Sequence, residues 1–138
     1  MLANNLAVVD EPSSKGTGNE VDMEQILNWN PDVILFAPNS IYSTVAANEN
    51  WQTITAIKEG KYYEVPFGPY NWMGFPPSVQ RLLGMQWMAA VLYPDAVDYD
   101  LYEAVSAYFE LFYHCELTEA QFAALTANSL PADKQMAA

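Results

Sequence analysis

Apolar positions along the chain fall into two patterns: short unalternating clusters, and longer stretches that repeat every three or four residues. Val33-Ile34-Leu35-Phe36 is a cluster of the first kind and fits a strand buried on both faces, as in a parallel sheet. Leu6-Ala7-Val8-Val9 is a similar run, cut off by Asp10-Glu11-Pro12, and reads as a strand stub followed by turn formers up to residue 20. Lys61-Tyr62-Tyr63-Glu64-Val65, rich in β-formers and closed by Pro66, makes a third strand. Between the strands, Asp22 with Gln25 three residues on forms a capping box, which predicts a helix to about Trp29 with Met23, Ile26 and Leu27 buried. Pro31 disfavours helical geometry at Asn30 and stops it. Short helices are expected over residues 41–47 and 51–58, the second ended by Glu59-Gly60.

The longest repeating stretch is residues 78–93, where Val79, Leu82, Leu83, Gln86, Trp87 and Ala90 recur at helical spacing before Pro94. Helices over 98–113 and 118–128 follow, with Thr118 and Gln121 as a second capping box. Strands alternating with helices and then helices alone predict an α/β fold: a three-layer lobe with a small, mostly parallel sheet flanked by helices and a helical C-terminal end. Residues 66–77 hold four prolines, two glycines and four aromatics, the composition of a shaped loop and not of a flexible linker.

Charge narrows the function more than it alters the fold. The 138 residues carry 17 acidic and 5 basic side chains, a net charge of −12. Nucleic acids and anionic membrane surfaces need a basic footprint, and Lys15, Lys58, Lys61, Arg81 and Lys134 form no run. No apolar stretch reaches the roughly 18 residues of a membrane span. The start, Met1-Leu2-Ala3-Asn4-Asn5, has neither a charged nor an apolar leader region, so no signal peptide is expected in this chain. A single cysteine and a single histidine argue against a metal site built from protein alone, and Cys115 is expected to be buried. Met85 and Met88 beside Trp87 are expected to pack in the core. No Gly-rich phosphate loop, nucleophile elbow or His-centred dyad is present, so neither catalysis nor a cofactor is expected.

Several consecutive segments resemble the C-terminal lobe of bacterial ABC-transporter substrate-binding proteins of the iron-siderophore, cobalamin and oxoanion class, whose two lobes are joined by one long helix. They are Val21-Asp22-Met23-Glu24-Gln25-Ile26-Leu27 with Asn30-Pro31-Asp32-Val33-Ile34, then Trp51-Gln52-Thr53-Ile54 with residues 56–66, then Pro76-Pro77-Ser78-Val79-Gln80-Arg81-Leu82-Leu83-Gly84 leading to Trp87-Met88-Ala89 and Leu92-Tyr93-Pro94. The resemblance implies that residues 1–138 form a single lobe, with the N-terminal lobe and linking helix absent. It also implies capture of a metal chelate (ferric siderophore, haem or corrinoid) or an oxoanion, delivery to membrane permease subunits, and a place in the periplasm or on the outer face of the cell membrane.

Parallel sheets bind ligands beyond the carboxyl ends of their strands. The candidate ligand residues are therefore Asn39, Ser40 and Tyr42 after one strand, and Tyr70, Asn71, Trp72 and Arg81 in and after the next loop. Tyr70 and Trp72 have two readings, stacking faces for a chelate or plugs of the lobe's own core. Arg81 likewise serves either an oxoanion or an internal ion pair. By the resemblance, Glu24 matches the glutamate that docks against permease arginines. The competing function is a protein-interaction or structural module without ligand, and the aromatic-rich inter-lobe face is a candidate for self-association.

Overall fold

A computed structural model describes residues 21–74, 76 and 78–135. Helix α1 (Met23–Trp29) opens on the expected capping box: Gln25 N–H donates to Asp22 Oδ1 at 2.8 Å, and Asp22 N–H donates back to Gln25 Oε1 at 3.0 Å. It ends at Asn30, in the left-handed region at φ 40°. The Asn30 side chain then reaches forward, its Oδ1 accepting from Thr55 N–H at 2.8 Å and its Nδ2 donating to Thr55 Oγ1 at 2.9 Å. One residue thus closes α1 and holds the start of α3 (Thr55–Lys58).

Strands β1 (Ile34–Phe36) and β2 (Tyr62–Glu64) pair in parallel, with Ile34 opposite Tyr62 and Phe36 opposite Glu64. Among the described residues these two strands are the whole sheet; the stub at Leu6-Ala7-Val8-Val9 lies outside them. Alternation along each strand feeds two separate clusters. Ile34, Phe36 and Tyr62 pack with Val45, Trp51, Ile54 and Ile57 on the side of α1, α2 (Tyr42–Val45) and α3. Val33, Leu35, Tyr63 and Val65 pack with Leu83, Trp87, Val105 and Phe122, on the side of α4 (Arg81–Leu92), α5 (Leu101–Tyr113) and α6 (Glu119–Leu125). This is the α/β lobe with helices on both faces and a helical end that the patterning predicts.

Four expectations are corrected. Helix α1 buries no residue: Met23 and Ile26 are half-buried and Leu27 is 40% exposed. The 51–58 helix is two pieces, a 3-10 turn (Trp51–Thr53) and α3, split where Ile54 adopts extended geometry (ψ 135°) to sink a fully buried side chain. Cys115 is exposed, because His114 turns left-handed (φ 54°) and ends α5 just before it. Met85 is 62% exposed, and Val79 and Leu82 of the same apolar series are exposed as well, leaving Leu83, Trp87 and Val91 as the inward face of that stretch.

Two predictions follow from the helical layer. The Thr118 hydroxyl accepts from Gln121 N–H at 3.2 Å, and Thr118→Ala is expected to cost about 1 kcal/mol of unfolding free energy by urea titration. The Tyr108 hydroxyl is buried without a hydrogen-bond partner, and burial pushes the phenol up to about 12 from its usual 10.0. A raised phenol favours the folded state fully below pH 10, and that contribution is lost as pH rises through 10 toward 12. Unfolding midpoints should therefore fall across that window, and Tyr108→Phe should flatten the fall.

Candidate functional site

The loops that leave β1 and β2 converge at the carboxyl ends of the strands, where a parallel sheet gathers its binding residues. A pocket of about 250 Å³ opens there, lined by Pro38 and Asn39 from the first loop, Pro66 and Phe67 from the second, Leu125 at the end of α6, and Asn128 and Ser129 just after it. Glu64, the last residue of β2, also lines it. Its Oε1 accepts from Asn39 N–H at 2.9 Å and its Oε2 accepts from Asn128 Nδ2 at 3.1 Å. Asn39 reaches this contact in the left-handed conformation (φ 59°), which asparagine tolerates better than most residues.

The segment after α6 is anchored along β2. Glu64 N–H donates to the Asn128 carbonyl at 2.8 Å, and Ser129 Oγ donates to the Glu64 carbonyl at 2.6 Å. Trp87 Nε1 from α4 donates to the Ser129 carbonyl at 2.6 Å, tying the same segment to the core. The free edge of β2 is covered in this way, and the pocket gains a third wall.

The second loop is tied down by hydrogen bonds that its sequence alone obscures. The Gly68 carbonyl accepts from both Trp72 Nε1 (3.1 Å) and Gln80 Nε2 (3.0 Å), and both of those side chains are fully buried. Asn71 Oδ1 accepts from Met73 N–H at 2.9 Å and Gly74 N–H at 2.7 Å, closing a side-chain turn. Gly84 of α4 lets the helix pass directly against the Trp72 backbone and the Met73 side chain.

The candidate residues separate accordingly. Asn39 lines the pocket, and Tyr70 is 52% exposed at the tip of the second loop, beside Phe67 at 56%. Trp72 has no exposed surface, so of its two readings the core plug is the one this geometry matches. Asn71 spends its oxygen on the loop itself. Tyr42 packs among Phe36 and Tyr62, at ring centroid distances of 6.1 and 5.5 Å, and burial raises its phenol. Ser40 is exposed outside the pocket. Arg81 is exposed at the start of α4; among the described residues the ion pair is Lys61–Glu59 at 2.7 Å, and Arg81 takes no part in one. Glu24 is exposed in the first turn of α1.

Sequence reading missed Glu64, Phe67, Gln80, Asn128 and Ser129. Glu64 and Phe67 were within reach, since a strand's last residue and the residues just after it face the binding edge. Nothing local marks Asn128, which meets Glu64 from 64 positions away.

The family model for periplasmic binding protein matches residues 3–68. The molybdate-binding protein MolA of Haemophilus influenzae is 33% identical over 97 residues, 68% of this chain and 27% of that protein. The periplasmic solute binding protein of Veillonella parvula superposes with a TM-score of 0.74 at 30% identity, covering 85% of this chain and 37% of that one. The chain fits one lobe of a periplasmic binding protein. An ABC transporter solute binding protein from Sulfurospirillum deleyianum agrees, with a TM-score of 0.74 and 35% identity over 78% of this chain and 33% of that one. This lobe thus spans about a quarter to a third of the length of the proteins it matches.

Among the described residues no helix is long and apolar enough to cross a membrane, and no group of three or more His, Cys, Asp or Glu side chains is placed to hold a metal ion. A broad groove along α5 and α6 carries Glu103, Glu110, Glu116 and Glu119, and reads as a solvated acidic face.

Proposed function

We propose that this lobe is the C-terminal half of a solute-binding protein that captures a metal chelate or an oxoanion and hands it to the permease of an ABC importer at the outer side of the cell membrane. The observation that carries the reading is the pocket at the strand ends, where both loops meet beside the exposed rings of Phe67 and Tyr70. At about 250 Å³ it is smaller than the roughly 300–1,000 Å³ of a complete small-molecule site, as one wall of a cleft would be. The name of MolA supports the oxoanion side of that ligand class; the exposed aromatics support the chelate side.

In this reading Glu24 docks on the permease, its carboxylate favoured by the first turn of α1 and open to solvent. The cognate permease–ATPase complex in lipid nanodiscs should bind the chain in surface plasmon resonance, and Glu24→Lys should weaken that binding at least about tenfold. Absence of binding by the unaltered chain would sink the proposal. A second reading, a ligand-free interaction module that pairs with a copy of itself, is favoured by the exposed apolar row Val79, Leu82 and Met85. Light scattering that finds only monomer at high concentration counts against it.

A further inference from the structure

We propose that the strand-end pocket selects its ligand by charge, with Glu64 receiving an ammonium, amidinium or guanidinium edge and turning oxoanions away. This deepens the solute-capture reading and rests on it.

Oxoanions are usually held by backbone N–H groups, and four of those at this pocket are spent. Asn39 N–H goes to Glu64 Oε1, Glu64 N–H to the Asn128 carbonyl, Val65 N–H to the Phe36 carbonyl and Ser129 N–H to the Thr126 carbonyl. The Ser129 hydroxyl and one of the two Asn128 side-chain N–H groups are spent as well, both on Glu64. The sign of the ligand is therefore set by the carboxylate itself. A carboxylate has about four lone-pair sites, and neutral donors fill two of them here. The Asn128 amide oxygen makes no bond among the described residues; the Asn39 side-chain amide keeps both a donor and an acceptor.

Among the described residues no lysine or arginine lines the pocket, so none of them offsets the Glu64 charge. A second anion brought into this partly enclosed space meets like-charge repulsion, whereas a cation meets an unpaired carboxylate. Phe67, on the same wall, adds a ring suited to a cation. Within the ligand class proposed above, the pocket therefore favours a chelate that displays an N–H-bearing cationic group over an oxoanion.

The test is an amide-resolved NMR titration of the whole chain with benzamidinium and benzoate, which match in shape and oppose in charge, and with molybdate. Benzamidinium is expected to shift the amides of Asn39, Glu64, Phe67 and Asn128, and Glu64→Gln to weaken its binding at least fivefold, on the order of a lost charge-assisted hydrogen bond. Benzoate and molybdate should leave those amides in place. If Glu64→Gln fails to fold, the unaltered chain still decides the matter, because benzamidinium binding must weaken several-fold as salt is added. The proposal is overturned if benzoate or molybdate binds these residues as tightly as benzamidinium, if salt and Glu64→Gln leave benzamidinium binding unchanged, or if no probe shifts them. Molybdate at this pocket would overturn charge selection while leaving solute capture intact; failure of permease binding would overturn solute capture whatever these probes do.

Discussion

Trp87→Ala is expected to lower the stability of the lobe by about 3–5 kcal/mol, enough to remove a large share of the free energy of a domain this size. The indole is fully buried at the centre of the helical-side core, and truncation opens a cavity among Leu83, Val91 and Val105 that backbone-fixed neighbours fill only in part. It also deletes the bond from Nε1 to the Ser129 carbonyl, 42 residues away, which is the tie between α4 and the segment that walls the ligand pocket. Trp87→Phe separates the two effects: it keeps most of the buried ring, leaves the carbonyl unpaired, and should cost about 1–3 kcal/mol. Urea midpoints for the three proteins check this order. Equal midpoints for Trp87→Ala and the unaltered chain would mean that α4 does not pack as described.

Gly84→Ala is expected to destabilise by about 2 kcal/mol, although alanine is the better helix former by about 1 kcal/mol. A Cβ at this position collides with the Trp72 carbonyl oxygen and stands 2.6 Å from Met73 Sδ, so α4 and the second loop cannot keep their approach. The Met73 side chain is flexible, but the Trp72 carbonyl is backbone, and the loop must move with it. Because that loop carries Phe67 and Tyr70, the same substitution should displace their amide resonances and weaken any binding at the pocket. Gain of stability on Gly84→Ala would refute the close approach. Loss of stability with unmoved Phe67 and Tyr70 signals would show that the loop's two ends are uncoupled.

Both substitutions act where distant segments meet, and that is also where sequence reading reached its limit. Local features were legible because their partners lie within a turn of one another. Asp22 and Gln25 cap α1, Thr118 and Gln121 cap α6, and Gly60, at φ 68°, turns the chain from α3 into β2. The unalternating run at Val33-Ile34-Leu35-Phe36 announced burial on both faces, and its side chains do divide between the two cores. The resemblance carried the family, since segment order and spacing survive where single residues do not.

The division of roles among the aromatics was not legible. Tyr70 and Trp72 sit two positions apart in a loop with no period, and only the Gly68 carbonyl, drawing in the Trp72 indole, decides which ring is inside. Nor did helical spacing reveal that Val79, Leu82 and Met85 stay exposed, because periodicity groups residues on a face without saying what covers it. The order of helices and strands along the chain, the caps and the acidic balance were thus determined by the chain's own local chemistry. The pocket, with Glu64 held between Asn39 and Asn128, was decided by tertiary structure alone, because a hydrogen bond across 25 or 64 residues exists only once packing has brought its two ends together.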